Sequence, residues 1–578
     1  MDRSDYVTKC ESFLSGNEFE KLDFDPTDSF QKLVQRTLLS MKKKFDLKTY
    51  KKLYPSSSRP GLFFGLAKVH KMVNGSTNVD ELPLRPVISN IGTATYEISK
   101  FLSSVLSPLT TSDFTIRSTK DFVNKVKHKK IDMEYEMVSF DVVSLFTSVP
   151  LDFTIELILQ KVYGDELVDT KLPKSEFKKL LELCTKGMHF SFNGEIYKQV
   201  NGVAMGSPLG PVLANIFMAE LESNIIPLLN EKISLWFRYV DDTFAFAKKG
   251  EIENIKYVLE SFHENIKFTH EKEADSQISF LDVNVVKNLD GSFDTDIYRK
   301  KTDTNVYLNW KSFAPRSWKV GTLKGLFRRA FVVCSTKQYL NKEIAFLKHV
   351  FTKYNGYPSR LVNNTLYHIR KKIEEEKDIE ERAVGSVGRD DILPEVAVPV
   401  GNVGMEDMPL ETATSNEVVV FPHIILPYKG DEGDRVINKF KNTVKRLLPS
   451  RVKPRYIYKG KKLGSFFKVK DRVKKEHQSD LVYAYQPESN GVVSTDYVGE
   501  TKVRYESRVY QHQFTDKRSA VFKHTKDNNI DISPEDFTIL ETGYKDNMNR
   551  KIAESLYIKQ LNPKLNEQKL SNNLMLFT

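Results

Sequence analysis

Cysteine is scarce in this sequence. The chain has 578 residues and only three cysteines, Cys10, Cys184 and Cys334, which lie far apart. So few and so scattered cysteines exclude a disulfide framework and a cysteine-based structural zinc site. The sequence therefore suits a reducing compartment, in which thiols persist.

Long apolar runs are also missing. No stretch reaches the roughly 20 apolar residues that a membrane-spanning helix requires. The first residues, MDRSDYVTKCESF, contain no apolar signal segment. These absences predict a soluble, intracellular protein without a membrane partner.

Basic residues are in excess, with 87 Lys and Arg against 76 Asp and Glu, a net charge of +11. Such an excess favours a polyanionic partner, of which nucleic acid is the first candidate, although a mildly basic enzyme would have the same balance. A chain of this length exceeds one hydrophobic core, so several domains are expected.

The strongest local pattern surrounds two adjacent acids, Asp241 and Asp242. In the segment LWFRYVDDTFAFA, 235–247, apolar residues flank both acids, which predicts two strands joined by a tight turn. Asp is common in turns, so a turn alone would explain the pair. However, adjacent carboxylates at the tip of an apolar hairpin repel each other, and a metal cation relieves that repulsion.

A third acid, Asp141, ends a β-type run in MVSFDVVSLFTSVP, 137–150, ahead of a predicted helix at 151–162. If this strand end meets the acidic hairpin in one sheet, three carboxylates could hold two Mg²⁺ ions. Two such ions would activate a hydroxyl and stabilise the leaving oxygen in phosphoryl transfer. The intervening segment QVNGVAMGSPLGPVLAN, 199–215, has glycines that permit close approach to a ligand.

The order of these three blocks resembles motifs A, B and C of reverse transcriptases. Further segments, FFGLAKVHK, LRPVIS, SLFTSVP, FLDV, TDTNVYL and GYP, resemble Penelope-like retroelements in particular, over most of residues 30–370. The resemblance implies an α+β multidomain fold with the fingers, palm and thumb of a right-hand polymerase. It also implies RNA as template and dNTPs as substrates.

The resemblance implies roles for individual residues. The positions that would hold two Mg²⁺ ions, for which Mn²⁺ could substitute, are Asp141, Asp241 and Asp242. The implied nucleotide-binding positions are Arg85, Phe146, Gly206, Ser207 and Pro208. The ring of Phe146 would exclude a ribose 2′-hydroxyl, and the guanidinium of Arg85 would pair with the triphosphate. Arg238 either binds nucleic acid or balances charge, and the structural role is favoured.

A second pattern of β-type runs and helices begins at Leu481. Tyr483 lies in one run and a second run ends in YVG, 497–499, while Arg508 and His512 share one helix face. Further on, RKIAESLYIKQLNPKLN, 550–566, forms an amphipathic helix that carries Glu554. Taken alone, these residues also fit a small αβ domain with half-buried tyrosines and a solvated glutamate.

The triplets LVY, 481–483, and YVG, 497–499, together with the closing NPKLN, resemble GIY-YIG nucleases. This resemblance implies hydrolysis of a DNA phosphodiester with one divalent metal held by Glu554. Arg508 would stabilise charge developing on the phosphate, for which Arg504 is a weaker alternative. The residues that would position or deprotonate the attacking water are Tyr483, Tyr497 and His512. Relatives often carry a zinc motif near the nuclease, but the shortage of cysteine predicts none here.

The predicted organisation has six segments. They are an N-terminal helical region (1–59), fingers and palm (60–300), a helical thumb (301–382), a flexible linker (383–418), a basic connector (419–478) and the GIY-YIG nuclease (479–578).

The implied function is target-primed reverse transcription in the nucleus: the nuclease nicks target DNA, and the polymerase extends the 3′-hydroxyl on the element's own RNA. Two alternatives stay open. One is a polymerase retained for DNA-end or telomere maintenance with an inactive nuclease, which Leu481 favours because it replaces the glycine of the first triplet. The other is a non-catalytic RNA-binding protein of the same fold.

Overall fold

The computed structural model describes most of the chain. The described ranges are 2–68, 82–165, 168–300, 302–386, 423–427, 430–448, 452–459, 473–489, 492–544 and 547–566. The predicted linker lies outside these ranges apart from 383–386, as do parts of the predicted basic connector and the last three residues of FFGLAKVHK.

Helices and strands alternate through the described ranges. The helices are α1 (Arg3–Leu14), α2 (Thr27–Ser40), α3 (Leu47–Leu53), α4 (Tyr96–Leu106), α5 (Thr119–Val126), α6 (Leu145–Ser148), α7 (Leu151–Tyr163), α8 (Lys174–Thr185), α9 (Gly210–Ile225), α10 (Ile252–Glu260), α11 (Arg316–Val333), α12 (Lys337–His349), α13 (Ser359–Ser386), α14 (Gly430–Leu447), α15 (Tyr505–Tyr510), α16 (Ala520–Asp527) and α17 (Asn547–Leu561). The strands are β1 (Phe19–Leu22), β2 (Gly61–Ala67), β3 (Leu84–Ser89), β4 (Tyr135–Val142), β5 (His189–Phe192), β6 (Glu195–Gln199), β7 (Ile233–Tyr239), β8 (Asp242–Lys248), β9 (Phe268–Lys272), β10 (Gln277–Phe280), β11 (Val283–Lys287), β12 (Phe293–Ile297), β13 (His423–Pro427), β14 (Arg455–Lys459), β15 (Leu481–Tyr485), β16 (Glu488–Ser489), β17 (Val492–Val493), β18 (Tyr497–Thr501) and β19 (Phe537–Thr542).

The chain divides into two compact units that do not follow the order of the sequence. Unit one comprises Met1–Thr111, Ser144–Met218 and Val469–Thr578, and unit two comprises Ser112–Val143 and Ala219–Lys468. The predicted fingers and palm, 60–300, therefore contribute to both units.

A five-stranded sheet in unit one has the order β1-β6-β5-β2-β3. Strands β5 and β6 form a hairpin whose two turn residues, Asn193 and Gly194, both have positive φ (49° and 86°). This is the backbone that two-residue hairpins prefer, because it matches the twist of the strands. The aromatic side chains of Phe63, Phe190 and Phe192 pack together beneath the sheet.

The last part of unit one is a three-stranded sheet of order β18-β15-β19, with α15, α16 and α17 packed on it. Its central strand, LVYAY, is buried on both faces, which explains why this run is apolar without alternation. Leu481, Tyr483 and Tyr485 pack on one face with Phe537. The intervening Val482 and Ala484 pack on the other face against α17.

Unit two contains a four-stranded sheet of order β7-β8-β4-β9 and a three-stranded sheet of order β10-β11-β12. Alternate residues of β8, Phe244 and Phe246, enter a core with Phe122 of α5, Phe280 and Phe293. This period of two is the one that the apolar residues after the acid pair predicted.

Helices α11, α12 and α13 form a separate core of unit two around Phe327, Leu347 and Phe351. The sequence segments TDTNVYL and GYP meet there: Tyr307 stacks on Phe351 at 5.4 Å, and the hydroxyl of Tyr357 donates to the carbonyl of Leu308 at 2.8 Å. The predicted helical character of this region is confirmed, and α13 continues to Ser386, beyond the predicted boundary at 382.

One helical run among the described residues, Gly210–Leu229, is long and apolar enough to cross a membrane. Its mean hydropathy is 1.4, and 56% of it is buried inside the protein. A buried core helix of a soluble protein has the same length and composition, so this run is weak evidence for a membrane span.

Candidate active sites

The acidic hairpin is formed as predicted. Strands β7 and β8 pair antiparallel, Tyr239 lies opposite Asp242, and Val240 and Asp241 make the turn between them. Val240 has φ of 60°, a left-handed conformation that is strained for a β-branched residue and costs on the order of 1–3 kcal/mol. Neighbouring groups must therefore hold this turn in place.

Arg238 is one of those groups. Its side chain is fully buried and paired with Glu222 of α9, with Nε to Oε1 at 2.7 Å and Nη2 to Oε2 at 3.1 Å. Its Nη1 donates to the carbonyl of Val240 at 3.2 Å. Glu222 also accepts from Trp236 Nε1 at 3.0 Å and from Ser112 Oγ at 2.9 Å. The structural role favoured for Arg238 is confirmed, because a buried guanidinium cannot reach a nucleic acid.

Asp141 lies beside the acid pair. It ends strand β4 as predicted, and its register partner on β8 is Asp242. Directly opposed residues of an antiparallel pair share one face of the sheet, with Cβ atoms about 5 Å apart. The backbone N–H of Val142 also donates to the carbonyl of Asp241 at 3.4 Å. The fold thus brings the three predicted acids to one end of adjacent strands.

The acids affect one another electrostatically. Burial of the carboxyl group, followed by the charges of Asp241 and Asp141, raises the pKa of Asp242 to about 6. Glu271 raises this pKa further, and Lys300 lowers it. Asp242 as a whole residue is exposed, so the burial that raises the pKa is local to its carboxyl group. Like charges this close favour a cation between them.

The donor set fits Mg²⁺ in chemistry, since all three side chains offer the hard oxygens that this ion prefers. Within the described ranges, no three His, Cys, Asp or Glu side chains are already arranged to enclose a metal ion. The three carboxylates therefore concentrate negative charge at this sheet end without enclosing a site by themselves. Mg²⁺ commonly completes its coordination shell with water and substrate phosphates.

The predicted nucleotide-binding residues lie in unit one. Arg85 is exposed on β3, opposite Leu66 of β2. The loop at Gly206 packs on the same strand, where the N–H of Ile88 donates to the carbonyl of Met205 at 2.9 Å. Gly206 has φ of 131°, and a Cβ there would lie 2.3 Å from the carbonyl oxygen of Ile88. Only glycine fits this position.

Phe146 and the glycine-rich loop are in contact: the N–H of Val203 donates to the carbonyl of Phe146 at 2.7 Å. Phe146 is half-buried and Pro208 likewise, whereas Ser207 is buried and its hydroxyl accepts from the N–H of Leu209 at 3.3 Å. The hydroxyl of Ser207 therefore takes part in its own turn. The nucleotide-binding candidates thus cluster within unit one, and the acids cluster within unit two.

The last sheet of unit one carries a second constellation. Arg508 Nε donates to the hydroxyl oxygen of Tyr483 at 3.0 Å, and that hydroxyl lies 2.6 Å from His512 Nε2. His512 Nδ1 lies 2.5 Å from Ser519 Oγ. Because arginine can only donate, the simplest assignment has Tyr483 donating to Nε2 and Nδ1–H donating to Ser519. This hydrogen-bonded chain is complete without any ligand.

Burial controls the ionisation of this chain. It lowers the pKa of His512 to about 3, with the nearby charge of Arg508 acting in the same direction, so the imidazole is neutral at ordinary pH. Burial likewise raises the pKa of Tyr483 well above its usual value. The pKa of Tyr497 is also raised, first by burial and also by Glu554, against the opposing charge of Arg508.

The packing around Tyr497 and Gly499 gives a physical reason for the residues of the second triplet, YVG. The ring of Tyr497 lies 6.3 Å from that of Tyr483 and 5.7 Å from that of His512. A Cβ on Gly499 would lie 2.7 Å from the Tyr483 hydroxyl and from the Tyr497 ring. Glycine at this position therefore allows the two tyrosines to approach each other.

Glu554 lies on α17 as predicted and accepts the backbone N–H of Glu500 through Oε1 at 3.0 Å. It lines a cavity of about 250 Å³ together with Tyr497, Arg508 and Asn566. The five residues predicted for this site from separate parts of the sequence therefore come together. The cavity is lined by two carboxylates, and because Asp516 is paired with Arg508, Glu554 is the one that suits an Mg²⁺ ion retaining several waters.

Several supporting residues were not predicted as parts of the site. Asp516 accepts from Arg508 Nη1 at 2.9 Å, and Ser519 partners His512. Arg550 is buried and binds Asp480 at 2.7 Å and also Glu500, which anchors α17 one turn before Glu554. The only signal for Arg550 in the sequence is its position four residues before Glu554.

Leu481, which replaces a glycine of the first triplet, and Arg504, the alternative to Arg508, both lie away from the cavity. Leu481 is fully buried in the core beneath the sheet, and it does not line the cavity that Glu554 lines. Arg504 is also buried, and its guanidinium binds the carbonyl of Ser58 and the carboxylate of Asp28. Arg504 is therefore engaged with the N-terminal region, whereas Arg508 faces the cavity.

Comparison with known families identifies two segments. The sequence model of the family "Reverse transcriptase (RNA-dependent DNA polymerase)" matches residues 83–275, and that of the "Animal helix-turn-helix domain" matches 306–367. The chain thus contains a reverse transcriptase domain, which includes Asp141, Asp241 and Asp242 within an α/β fold. The second match covers α11, α12 and the start of α13.

Telomerases are among the solved structures that are similar to this chain. One is telomerase from Candida albicans in complex with a TWJ fragment of telomeric RNA (12% identity, 59% of this chain and 64% of that chain, TM-score 0.37). Another is apo telomerase from Candida tropicalis (11% identity, 61% of this chain and 65% of that chain, TM-score 0.33). The chain spans less than two thirds of these telomerases. No curated protein sequence matches it.

Proposed function

We propose that this chain is an RNA-directed DNA polymerase of a Penelope-like retroelement that carries its own GIY-YIG nuclease. The nuclease nicks target DNA, and the polymerase extends the new 3′-hydroxyl with dNTPs on the element's RNA. The observation that carries the proposal is the pairing of Asp141 with Asp242 beside Asp241, inside the segment that matches reverse transcriptases. Because the proposed substrate is chromosomal DNA, we expect the protein to act in the nucleus.

In the polymerase, Asp141, Asp241 and Asp242 would hold two Mg²⁺ ions, or Mn²⁺ in their place. When bound, the ions would supply Lewis-acid stabilisation for phosphoryl transfer. The protein's own contribution is positional: Glu222 and Arg238 hold the Val240 turn, so the adjacent acids remain at the sheet end. The exposed guanidinium of Arg85 suits a triphosphate, and the ring of Phe146 excludes a 2′-hydroxyl.

In the nuclease, Glu554 would hold one divalent cation, which would supply charge neutralisation for phosphodiester hydrolysis. Arg508 stabilises negative charge on the phosphate and is oriented for this by Asp516. Neutral His512 accepts a hydrogen bond from the hydroxyl of Tyr483, which leaves the hydroxyl oxygen of Tyr483 to accept from Arg508. Tyr497 is the tyrosine that lines the cavity with Glu554, so it is the one placed to orient water.

The position of Leu481 supports an active nuclease. Its side chain fills the core under the sheet, away from the cavity. The substitution of glycine by leucine in the first triplet therefore adds packing and leaves the space around Glu554 unchanged. This favours the retroelement proposal over a polymerase with an inactive nuclease.

The polymerase is tested by primer extension on an RNA template with Mg²⁺ and dNTPs. Wild type is compared with Asp241→Asn and with Glu264→Gln, which removes one exposed carboxylate of the same unit. Extension by wild type and Glu264→Gln, lost in Asp241→Asn, supports the proposal. If no protein extends the primer while all three bind RNA, the non-catalytic RNA-binding alternative replaces it.

The nuclease is tested by nicking of supercoiled plasmid. Glu554→Gln is compared with Glu506→Gln, which changes an exposed glutamate in the first turn of α15. Metal-dependent nicking that only Glu554→Gln abolishes supports the nuclease. RNA-templated extension without nicking by any protein would favour DNA-end or telomere maintenance.

A further inference from the structure

A second cavity of unit one lies away from both candidate active sites. It has a volume of about 290 Å³ and is formed where α1, the start of β2, the β5–β6 turn and the segment before β15 meet. Its lining includes two buried apolar residues, Pro60 and Leu62, here called the floor, and three less buried basic residues, Arg3, Arg59 and Lys474, here called the rim.

The cavity lies apart from Arg85, one of the predicted nucleotide-binding residues. Leu62 lies near the beginning of β2, whereas Arg85 pairs with Leu66, four residues further along that strand. Four residues of extended strand span about 13 Å. No residue of this cavity lines the one around Glu554.

The charge of the rim is not balanced. Among the described residues, Arg3, Arg59 and Lys474 form no ion pair with a carboxylate, and His477 adds a fourth titratable base. The one acid on the rim is Asp25, whose Oδ1 already accepts the backbone N–H of Thr27 at 2.9 Å and the Thr27 hydroxyl at 2.5 Å. A net positive cavity remains.

Arg59 is the most informative of these residues. Two of its nitrogens, Nε and Nη2, donate to the carbonyl of Ile91 at 3.1 and 3.0 Å, which fixes the guanidinium in the wall. Burial lowers its pKa, and no carboxylate offsets this effect. A partly buried cation without an anionic partner is costly unless a ligand supplies the anion.

We infer that this cavity binds a phosphate group of a single nucleic-acid strand, with the attached nucleoside against the apolar floor. A fixed guanidinium beside flexible basic side chains suits a phosphodiester. Proteins that bind single strands without reading sequence combine a basic groove for the backbone with aromatic side chains for the bases. Here the basic rim is present, and Pro60 and Leu62 provide an apolar contact in place of aromatic rings. The volume suits about one nucleotide, being at the small end of ligand pockets.

The site goes beyond the proposed function because it links the nuclease to the rest of unit one. Lys474 and His477 precede β15 directly, and the backbone N–H of Tyr505, at the start of α15, donates to the carbonyl of Gln478 at 2.7 Å. A strand bound here is held by the N-terminal region, the five-stranded sheet and the entry to the nuclease at once. The cavity thereby gives the strand a fixed point beside the nuclease module.

Binding is measured by fluorescence anisotropy with labelled 12-nucleotide RNA and DNA of one sequence, using the full chain in EDTA. Lys474→Glu and Arg3→Glu are compared with wild type and with Lys179→Glu, which reverses an exposed lysine of the same unit outside the cavity. The two cavity variants are expected to bind roughly tenfold more weakly. The slope of log affinity against log salt should fall by about 0.7 for each lost phosphate contact.

The outcome is independent of catalysis, because EDTA removes the metals of both active sites. If the cavity variants and Lys179→Glu bind equally well at every salt concentration, the inference is wrong. If millimolar inorganic phosphate or a free nucleotide displaces the strand from wild type but not from Lys474→Glu, the cavity takes a small phosphate compound and the strand assignment fails. A melting temperature equal to wild type shows that each variant is folded.

Discussion

The two candidate active sites are built in opposite ways. In unit two, three acids gather at a sheet end, and burial together with their mutual repulsion raises the pKa of Asp242. In the last part of unit one, Glu554 and Asp516 line a cavity, Asp516 is paired with Arg508, and Arg508, Tyr483 and His512 are joined by hydrogen bonds.

The difference teaches what each site needs. At the acidic site the three carboxylates repel one another, so we expect its activity to depend on metal and proton concentration. The candidate nuclease site is preorganised by its own side chains, so we expect it to depend on the geometry of a hydrogen-bonded chain. Changes of charge should therefore affect the first site most, and changes of shape the second.

The largest effect is expected from Asp241→Asn. The change keeps the size of the side chain and removes one of the charges that hold the cations, which are worth several kcal/mol to the transition state. RNA-templated extension should fall at least about a thousandfold, since each 1.36 kcal/mol is roughly tenfold. Plasmid nicking by the same preparation is the control, and it should be unchanged. Extension within about tenfold of wild type would contradict the role of this acid.

Glu554→Gln should have a comparable effect on nicking alone. The amide retains a hydrogen-bond acceptor for the N–H of Glu500 but loses the charge that attracts the cation. Nicking is expected to fall by roughly a hundredfold or more, as when a transition-state charge loses its stabiliser. Glu506→Gln provides the matched variant. Residual nicking equal to that of Glu506→Gln would show that another group binds the metal.

Arg508→Lys tests the importance of shape. The ammonium keeps the charge but cannot donate to Tyr483, Gln511 and Asp516 from fixed positions, as the guanidinium does. We expect nicking to fall about a hundredfold with extension unaffected. If lysine supports normal nicking, charge alone suffices at this site and the comparison drawn above is wrong.

Glu222→Gln tests the support of the acidic hairpin. It leaves the buried guanidinium of Arg238 without its anion, which should lower the free energy of unfolding by about 3 kcal/mol or more. All three tryptophans, Trp236, Trp310 and Trp318, lie in unit two, so urea unfolding followed by tryptophan fluorescence reports on this unit. Glu231→Gln, at an exposed position, is the control. Equal midpoints for the two variants would mean that the ion pair does not support the hairpin.

The smallest effect is a difference in pH dependence. Asp242 has its pKa raised to about 6, so protons compete with cations for this carboxylate as the pH falls through that value. The Mg²⁺ concentration for half-maximal extension should rise by several-fold between pH 7.5 and 5.5. His512, with its pKa lowered to about 3, stays neutral over the same range and should add no step to the pH profile of nicking. A nicking profile with a histidine step near neutral pH would show that His512 is solvated.

Local patterns in the sequence predicted the elements of both sites. The alternation around Asp241 and Asp242 predicted the hairpin, and the spacing of Arg508 and His512 placed them on one helical segment. The partners of these residues were not predictable. Glu222, the partner of Arg238, is sixteen residues away in the chain, and Ser519, the partner of His512, caps the next helix, α16. Nothing local indicates which distant acid or hydroxyl a buried cation or imidazole will meet.

The amino-acid sequence alone determined which segments form strands and helices and which chemical groups they carry, because apolar periodicity and adjacent charges are local properties. Only the tertiary structure decided that Asp141 lies opposite Asp242, that Leu481 fills a core, and that three basic side chains without a carboxylate partner among the described residues line one cavity. Those facts depend on strand register and packing between segments that are far apart in the chain. Register and packing are set by the burial of whole faces, which no short stretch of sequence contains.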